Sequence, residues 1–241
     1  MSSIRCTAFI LARGGSKRIK RKNMQLLAGQ PLLFWTIKYA EVCPHIGNTI
    51  LSSDDTEILE YASQFSNVTT IERPENLATD ISPDLEAFDH CLRMARIRDI
   101  PVNEYVVHLR ATNPFRKLFW MDEIVATLRD NPEIDTVRSI EPAATTPYKM
   151  WHQDDRDFLE PVCMAPEVPF AHSMPKQLLP DVYWQNAHLD IIRKDVLLSN
   201  RIVGDKIYGY RTVGGLPDID LPLDLETARD FFADLVDGKL L

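Results

Sequence analysis

Five short apolar runs, separated by stretches of helical periodicity, constrain this chain more than any other feature. Cys6–Ala12, Thr49–Ser53, Val68–Glu72, Tyr105–Leu109 and Thr136–Ile140 have the length and composition of buried strands. Between them Leu32–Val42, Thr56–Phe65, Asp84–Arg96 and Leu118–Arg129 carry helical spacing. Strand and helix alternating in this way build βαβ units, so the expected fold is α/β, a doubly wound, mainly parallel, Rossmann-like sheet with right-handed crossovers. Local signals agree with it. Asp54 or Asp55 is placed to cap the helix from Thr56, Ser82 with Pro83 to start the next, and Asn131-Pro132 to stop the fourth.

The alternation breaks after Ile140. Pro142, Pro147, Pro161, Pro166, Pro169, Pro175 and Pro180 interrupt any periodicity, so residues 141–190 are expected to leave the sheet as loops and a β-hairpin, a lid or subunit contact. Val182–Ile192 and Lys206–Val213 read as strands and Leu225–Leu235 as a closing helix. With 241 residues, 45% of them hydrophobic, the chain can bury one substantial core, and a single domain over 1–241 is expected.

Composition removes several classes of function. Cys6, Cys43, Cys91 and Cys163 are scattered without a C-x-x-C, which points to reduced thiols rather than a disulfide framework or a zinc site. No run approaches the roughly 20 apolar residues of a membrane span, and the N-terminal stretch meets charge too early for a signal peptide, so a cytoplasmic location is expected. A net charge of -8 argues against general nucleic-acid binding.

In that acidic chain one loop is strongly basic. Arg13–Lys22, RGGSKRIKRK, holds six cationic side chains and two glycines directly after the first strand. Ligands of open α/β sheets bind at the carboxyl ends of the strands, and cations beside Gly14 and Gly15, whose backbone can approach an anion closely, suit phosphate. The spacing is neither a Walker A motif nor G-x-G-x-x-G. Near the C-terminus Asp218 and Asp220 lie two apart, which in an extended segment directs both carboxylates to one side, as one or two Mg²⁺ ions require. Asp224 is placed to cap the last helix. Other strand ends offer Arg110–Arg116 and the Arg73–Asp84 segment, in which Ser82 and Asp84 can reach a base or sugar and Ser82 can equally serve as a cap.

The segments ARGGSKRIKRKN, LAGQPLLFWTI, SSDDTEI, RPENLATD, LRATNPFR and DIDLPLDLETA, in this order, resemble the acylneuraminate cytidylyltransferase family, the CMP-sialic acid synthetases and their relatives. The resemblance implies a nucleotidyltransferase fold, CTP as co-substrate, Mg²⁺, and a homodimer in which the excursion helps cover the partner's sugar site. The reaction implied is attack of a sialic-acid-like 2-keto-3-deoxy sugar acid on the α-phosphorus, giving a CMP-sugar and pyrophosphate. The alternatives are an eight-carbon ulosonate acceptor or a non-catalytic nucleotide-binding relative. Carried over by position, the resemblance places Arg13, Lys17 and Lys22 on the triphosphate, with Gly14, Gly15 and Asn23 shaping the loop. Arg73, Ser82 and Asp84 fall around cytosine and ribose, Asp218 and Asp220 on the metal, and Lys149 and Lys176 near the sugar acid. Asp218 is also the candidate for taking the hydroxyl proton. Arg110 and Asn186–Asp190 depart from the family pattern, which makes Arg110, Asn186 and Asp190 candidates for facing the sugar.

Overall fold

The computed structural model describes residues 4–214 and 218–236. In chain order the elements are β1 (Cys6–Leu11), β2 (Leu26–Leu27), β3 (Gln30–Pro31), α1 (Leu32–Val42), β4 (Ile46–Ser53), α2 (Thr56–Ala62), β5 (Val68–Glu72), α3 (Asp84–Ile97), β6 (Tyr105–His108) and α4 (Leu118–Asp130). They continue with β7 (Thr136–Pro142), β8 (Trp151–Gln153), β9 (Leu159–Pro161), β10 (Tyr183–Arg193), α5 (Lys194–Leu198), β11 (Ile207–Arg211) and α6 (Pro222–Val236). Seven strands form the main sheet in the order β11-β7-β10-β6-β1-β4-β5. β1 pairs in parallel with β4 and β6, and β4 with β5, while β10 runs antiparallel to β6. This is the α/β, mainly parallel architecture that the alternation of runs predicts.

The apolar runs work because both faces of the sheet are covered. Along β1, Ala8 and Ile10 enter a core with Leu33, Trp120 and Val137, whereas Phe9 between them enters a second core with Ile50, Ile71 and Phe88. This is strand alternation with helices on either side. Phe9 stacks on Phe88 with ring centroids 5.6 Å apart, and each such buried side chain contributes about 1.5–3 kcal/mol. Cys6, Cys43 and Cys91 are buried, Cys163 is partly exposed, and all are free thiols.

Element ends differ from the sequence expectation for local reasons. β4 begins at Ile46 rather than Thr49, because the polar Asn48 is satisfied by Thr7 and by the Pro101 carbonyl and so does not end the strand. α6 begins at Pro222 rather than Leu225. Asp224 acts from inside its first turn, accepting the Leu221 and Asp220 amides in the manner of a capping box. Asp55 is the cap of α2, accepting from the Glu57 and Ile58 amides. Ser82 is not the cap of α3: its hydroxyl closes the preceding turn, accepting from the Thr79 amide and donating to the Asn76 carbonyl, and Pro83 takes the cap position. The helix α5 and the small β2–β3 pair were not anticipated, being too short for periodicity to register.

Contacts divide the chain into two compact units, one of residues up to Ser139 and from Ala187 onward, the other Ile140–Asn186. The smaller unit holds the antiparallel β8–β9 hairpin and three 3₁₀ turns around a small core of Ala165, Ala171 and Leu179.

In the main core the His188 ring lies 5.1 Å from that of Trp120. Burial, and then the charge of Arg116, pull its pKa from 6.5 down to about 4. The unfolded chain therefore takes up this proton first as pH falls, and the native state loses stability from about pH 6.5 toward pH 4. Urea unfolding across this range is expected to show a loss of about 3 kcal/mol from this group, and His188→Gln to flatten that part of the profile.

Candidate functional site

The carboxyl ends of β1, β5 and β6 open toward one cleft of about 360 Å³. It lies where crossovers leave β1 for β4 on one side and reach β6 on the other, the switch point at which open α/β sheets bind ligands. Arg13, Lys22 and Asn23 follow β1; Arg73, Ser82 and Asp84 follow β5; Arg110 follows β6; Asp218 and Asp220 precede α6. A second lobe of about 350 Å³ continues over the basic loop, adding Lys17 and Arg18 and sharing Arg13, Lys22, Asp80 and Asp220.

The loop is held from within. Asn23, buried, donates from its side-chain amide to the Arg13 carbonyl at 2.9 Å, tying the ends of the basic run together. Ile19, apolar among cations, is buried with Leu27, Leu32 and Ile219, so one hydrophobic cluster anchors both the loop and the aspartate segment. Ile219 faces inward while its neighbours Asp218 and Asp220 line the cleft, the alternation expected of an extended segment.

Gly14 and Gly15 do not line the cleft. The Gly14 amide donates to Asp54 at 3.0 Å, and a Cβ there would lie 2.6 Å from an Asp55 carboxylate oxygen. Gly14 thus lets the loop pass the acids that end β4. A Cβ on Gly15 would meet open space.

Most of the cations are paired with carboxylates. Lys22 Nζ lies 2.7 Å from Asp220, a bond spanning 198 positions, and Arg18 approaches the same carboxylate at 3.9 Å. Burial alone would raise the Asp220 carboxyl, but Lys22, Arg18 and Arg110 hold it below the usual carboxylate range. Arg13 and Lys17 share Asp80. Arg110 pairs with Asp84 at 3.3 Å. Arg73, buried, donates to the hydroxyl and carbonyl of Ser52, so its guanidinium ties β5 to β4 beside the cleft.

The residues expected near the sugar are divided between the two units. Asp190 does not line the cleft: its side chain is 1% exposed and lies 2.8 Å from Arg138 and 3.6 Å from Arg110. β10 is buried on both faces from His188 to Ile192, and there Asp190 serves as a buried counter-ion. Asn186, Lys149 and Lys176 belong to the 140–186 unit. There Asn186 donates to Glu141 at 3.4 Å, Lys149 is exposed, and Lys176 donates to the Ala143 and Ala144 carbonyls and lines a cavity of about 260 Å³ within that unit.

Some residues of the site escaped the sequence reading. Arg116 is buried, and its guanidinium donates to the carbonyls of Arg110, Asn113 and His188 and to the Thr36 hydroxyl. Burial pulls its pKa down to about 10. His108 lines the cleft, edge-on to Phe88, and burial followed by the charges of Arg110, Arg116, Arg138 and Arg73 keeps the imidazole neutral well below its ordinary pKa. Asp80 closes RPENLATD, where the basic loop's need for counter-ions was the available signal.

For a metal, the donor set is two carboxylates. Asp218 Oδ1 is buried and, among the described residues, has no hydrogen-bond partner, and Asp220 is half exposed on the same wall. Among the described residues no group of three or more metal-ligating side chains gathers. Two carboxylates that leave the remaining positions to phosphate oxygens suit Mg²⁺ rather than a closed zinc site.

The fold is shared with CMP:2-keto-3-deoxy-manno-octonic acid synthetase, solved with CTP, at a TM-score of 0.69 and 15% identity, covering 96% of this chain and 99% of that one. Sheet, switch-point cleft and cationic loop are those of an α/β nucleotidyltransferase. The chain belongs to the cytidylyltransferase family, which matches it over residues 7–235. It is 25% identical over 233 residues to the post-translational flagellin modification protein B of Campylobacter coli, covering 96% of this chain and 93% of the relative. It is 36% identical over 114 residues to the CMP-N,N'-diacetyllegionaminic acid synthase of Legionella pneumophila, covering 47% of this chain and 49% of that one.

Because the Asp55 carboxylate fills the space beside Gly14, Gly14→Ala is expected to destabilise the protein by about 1–3 kcal/mol through overpacking. Gly15→Ala serves as the comparison in urea unfolding and should change stability much less.

Proposed function

We propose that this chain transfers the cytidylyl group of CTP to a 2-keto-3-deoxy nine-carbon sugar acid, a nonulosonate of the sialic acid type, with release of pyrophosphate. The observation that carries the reading is the joining of the basic loop to Asp218 and Asp220 across a single cleft. The name of the Legionella relative, a CMP-N,N'-diacetyllegionaminic acid synthase, supports a sugar acid of this type as acceptor. The reading makes Arg13, Lys17 and Lys22 the partners of the triphosphate, where ammonium and guanidinium groups offset the charge gathering on the leaving pyrophosphate. His108, neutral, and the Arg110–Asp84 pair supply hydrogen-bonding groups to the deeper part of the ligand.

Asp218 and Asp220 would hold Mg²⁺, which, when bound, supplies positive charge to the reacting phosphate. Asp218 Oδ1, without a hydrogen-bond partner among the described residues, is also the acceptor for the proton of the attacking hydroxyl. The reading includes a homodimer in the cytoplasm. Trp151, Phe158, Phe170 and Trp184 of the 140–186 unit are exposed, and a small unit with that much aromatic surface in water calls for a partner. Among the described residues no helix is long and apolar enough to cross a membrane.

The test is pyrophosphate release from CTP and a panel of nonulosonates and eight-carbon ulosonates with Mg²⁺. Asp218→Asn and Asp220→Asn are each expected to lower kcat by about 10² or more while leaving the fold intact by circular dichroism. Near-normal turnover by either variant sinks its metal assignment, and activity confined to eight-carbon acids sinks the acceptor class.

A further inference from the structure

Arg13 and Lys17 already have an anion. Arg13 Nη1 lies 3.0 Å from one Asp80 oxygen and donates at 2.7 Å to the Thr79 carbonyl, while Lys17 Nζ meets the other Asp80 oxygen. One carboxylate thus offers one oxygen to each cation, as two oxygens of a phosphate would. We propose that Asp80 is a built-in stand-in for a ligand phosphate: it holds Arg13 and Lys17 in the empty cleft, is displaced by the triphosphate, and returns to them as pyrophosphate leaves. The inference rests on the nucleotidyl-transfer reading and adds to it a residue that sets how firmly the phosphates are held.

The turn that carries Asp80 is held by Ser82 as well as by Arg13. Ser82 accepts from the Thr79 amide and donates to the Asn76 carbonyl, so the carboxylate is presented to the loop by a closed turn. Hydrogen bonding from Lys17, with the charges of Lys17 and Arg13, keeps the Asp80 carboxyl below its ordinary range, so it stays ionised in the empty cleft.

The pair also stands in water: Lys17 is 83% exposed and Asp80 37%. An exposed ion pair is weak, and a phosphate brings more charge and more acceptor oxygens to the same two cations. With phosphate bound, a carboxylate left in place would sit beside a like charge. Exchange is therefore favoured on binding and reversed on release. Asp220 on Lys22 is a different case, because the proposed metal gives that carboxylate a second partner.

Calorimetric titration of inorganic pyrophosphate, and of CTP with and without Mg²⁺, into the full chain tests this. Asp80→Asn is expected to bind pyrophosphate about three- to fivefold more tightly than the unsubstituted protein, and Asp80→Glu, which keeps the charge, to bind it with unchanged affinity. In a Lys17→Ala background the gain from Asp80→Asn should shrink. Asp80→Ser is read in its place if the asparagine variant does not keep its thermal midpoint. Unchanged or weaker pyrophosphate binding by a folded neutral variant overturns the inference while leaving nucleotidyl transfer standing. An unsubstituted protein that binds neither CTP nor pyrophosphate overturns both.

Discussion

Arg116 carries a charge into the interior, where it is solvated by protein oxygen rather than water. Three carbonyls and one hydroxyl accept from its guanidinium, and they come from α1, β10 and the turn that follows β6. Burying a cation is costly unless every donor is satisfied, so these acceptors hold their places or the charge is stranded. The turn fixed in this way presents the Thr112 carbonyl to the Ile219 amide, which sets the aspartate segment against the cleft. The wall that carries Asp218 and Asp220 is thus downstream of a residue that does not line the cleft.

The second organising constraint is charge compensation. A site built for a polyanion has to keep its cations apart and oriented before the ligand arrives, and isolated like charges repel. The answer in this fold is to interleave carboxylates: Asp80 between Arg13 and Lys17, Asp220 on Lys22, and Asp84 and Asp190 about Arg110. The same interleaving leaves the charge of Arg110 compensated by two carboxylates.

The sheet was legible because parallel strands covered on both faces must be apolar runs, and β1, β4, β5 and β6 announce themselves that way. The cleft was legible in outline, since strand ends and basic residues can be located without coordinates. Arg13, Lys22, Arg73, Arg110, Asp218 and Asp220 do meet there. Pairing was not legible. Nothing local tells that Gly14 yields to Asp55, that Ser82 closes a turn instead of capping a helix, or that Asp190 is sealed behind Arg138. Those outcomes are decided by contacts between residues distant in sequence. Arg116 was hidden for a related reason, because a single arginine in a proline-containing turn has no periodicity to mark it as buried.

Lys22 and Asp220 are 198 positions apart, and that separation has a meaning in time. At a synthesis rate of about 5–20 residues per second, roughly 10–40 s pass between the appearance of the loop and that of its distal carboxylate. During this interval a growing chain displays a cluster of six cations beside a ribosome made largely of polyanion. Asp80 arrives after roughly 3–13 s on the same scale. The nascent loop thereby acquires an internal counter-ion while most of the protein has yet to be made.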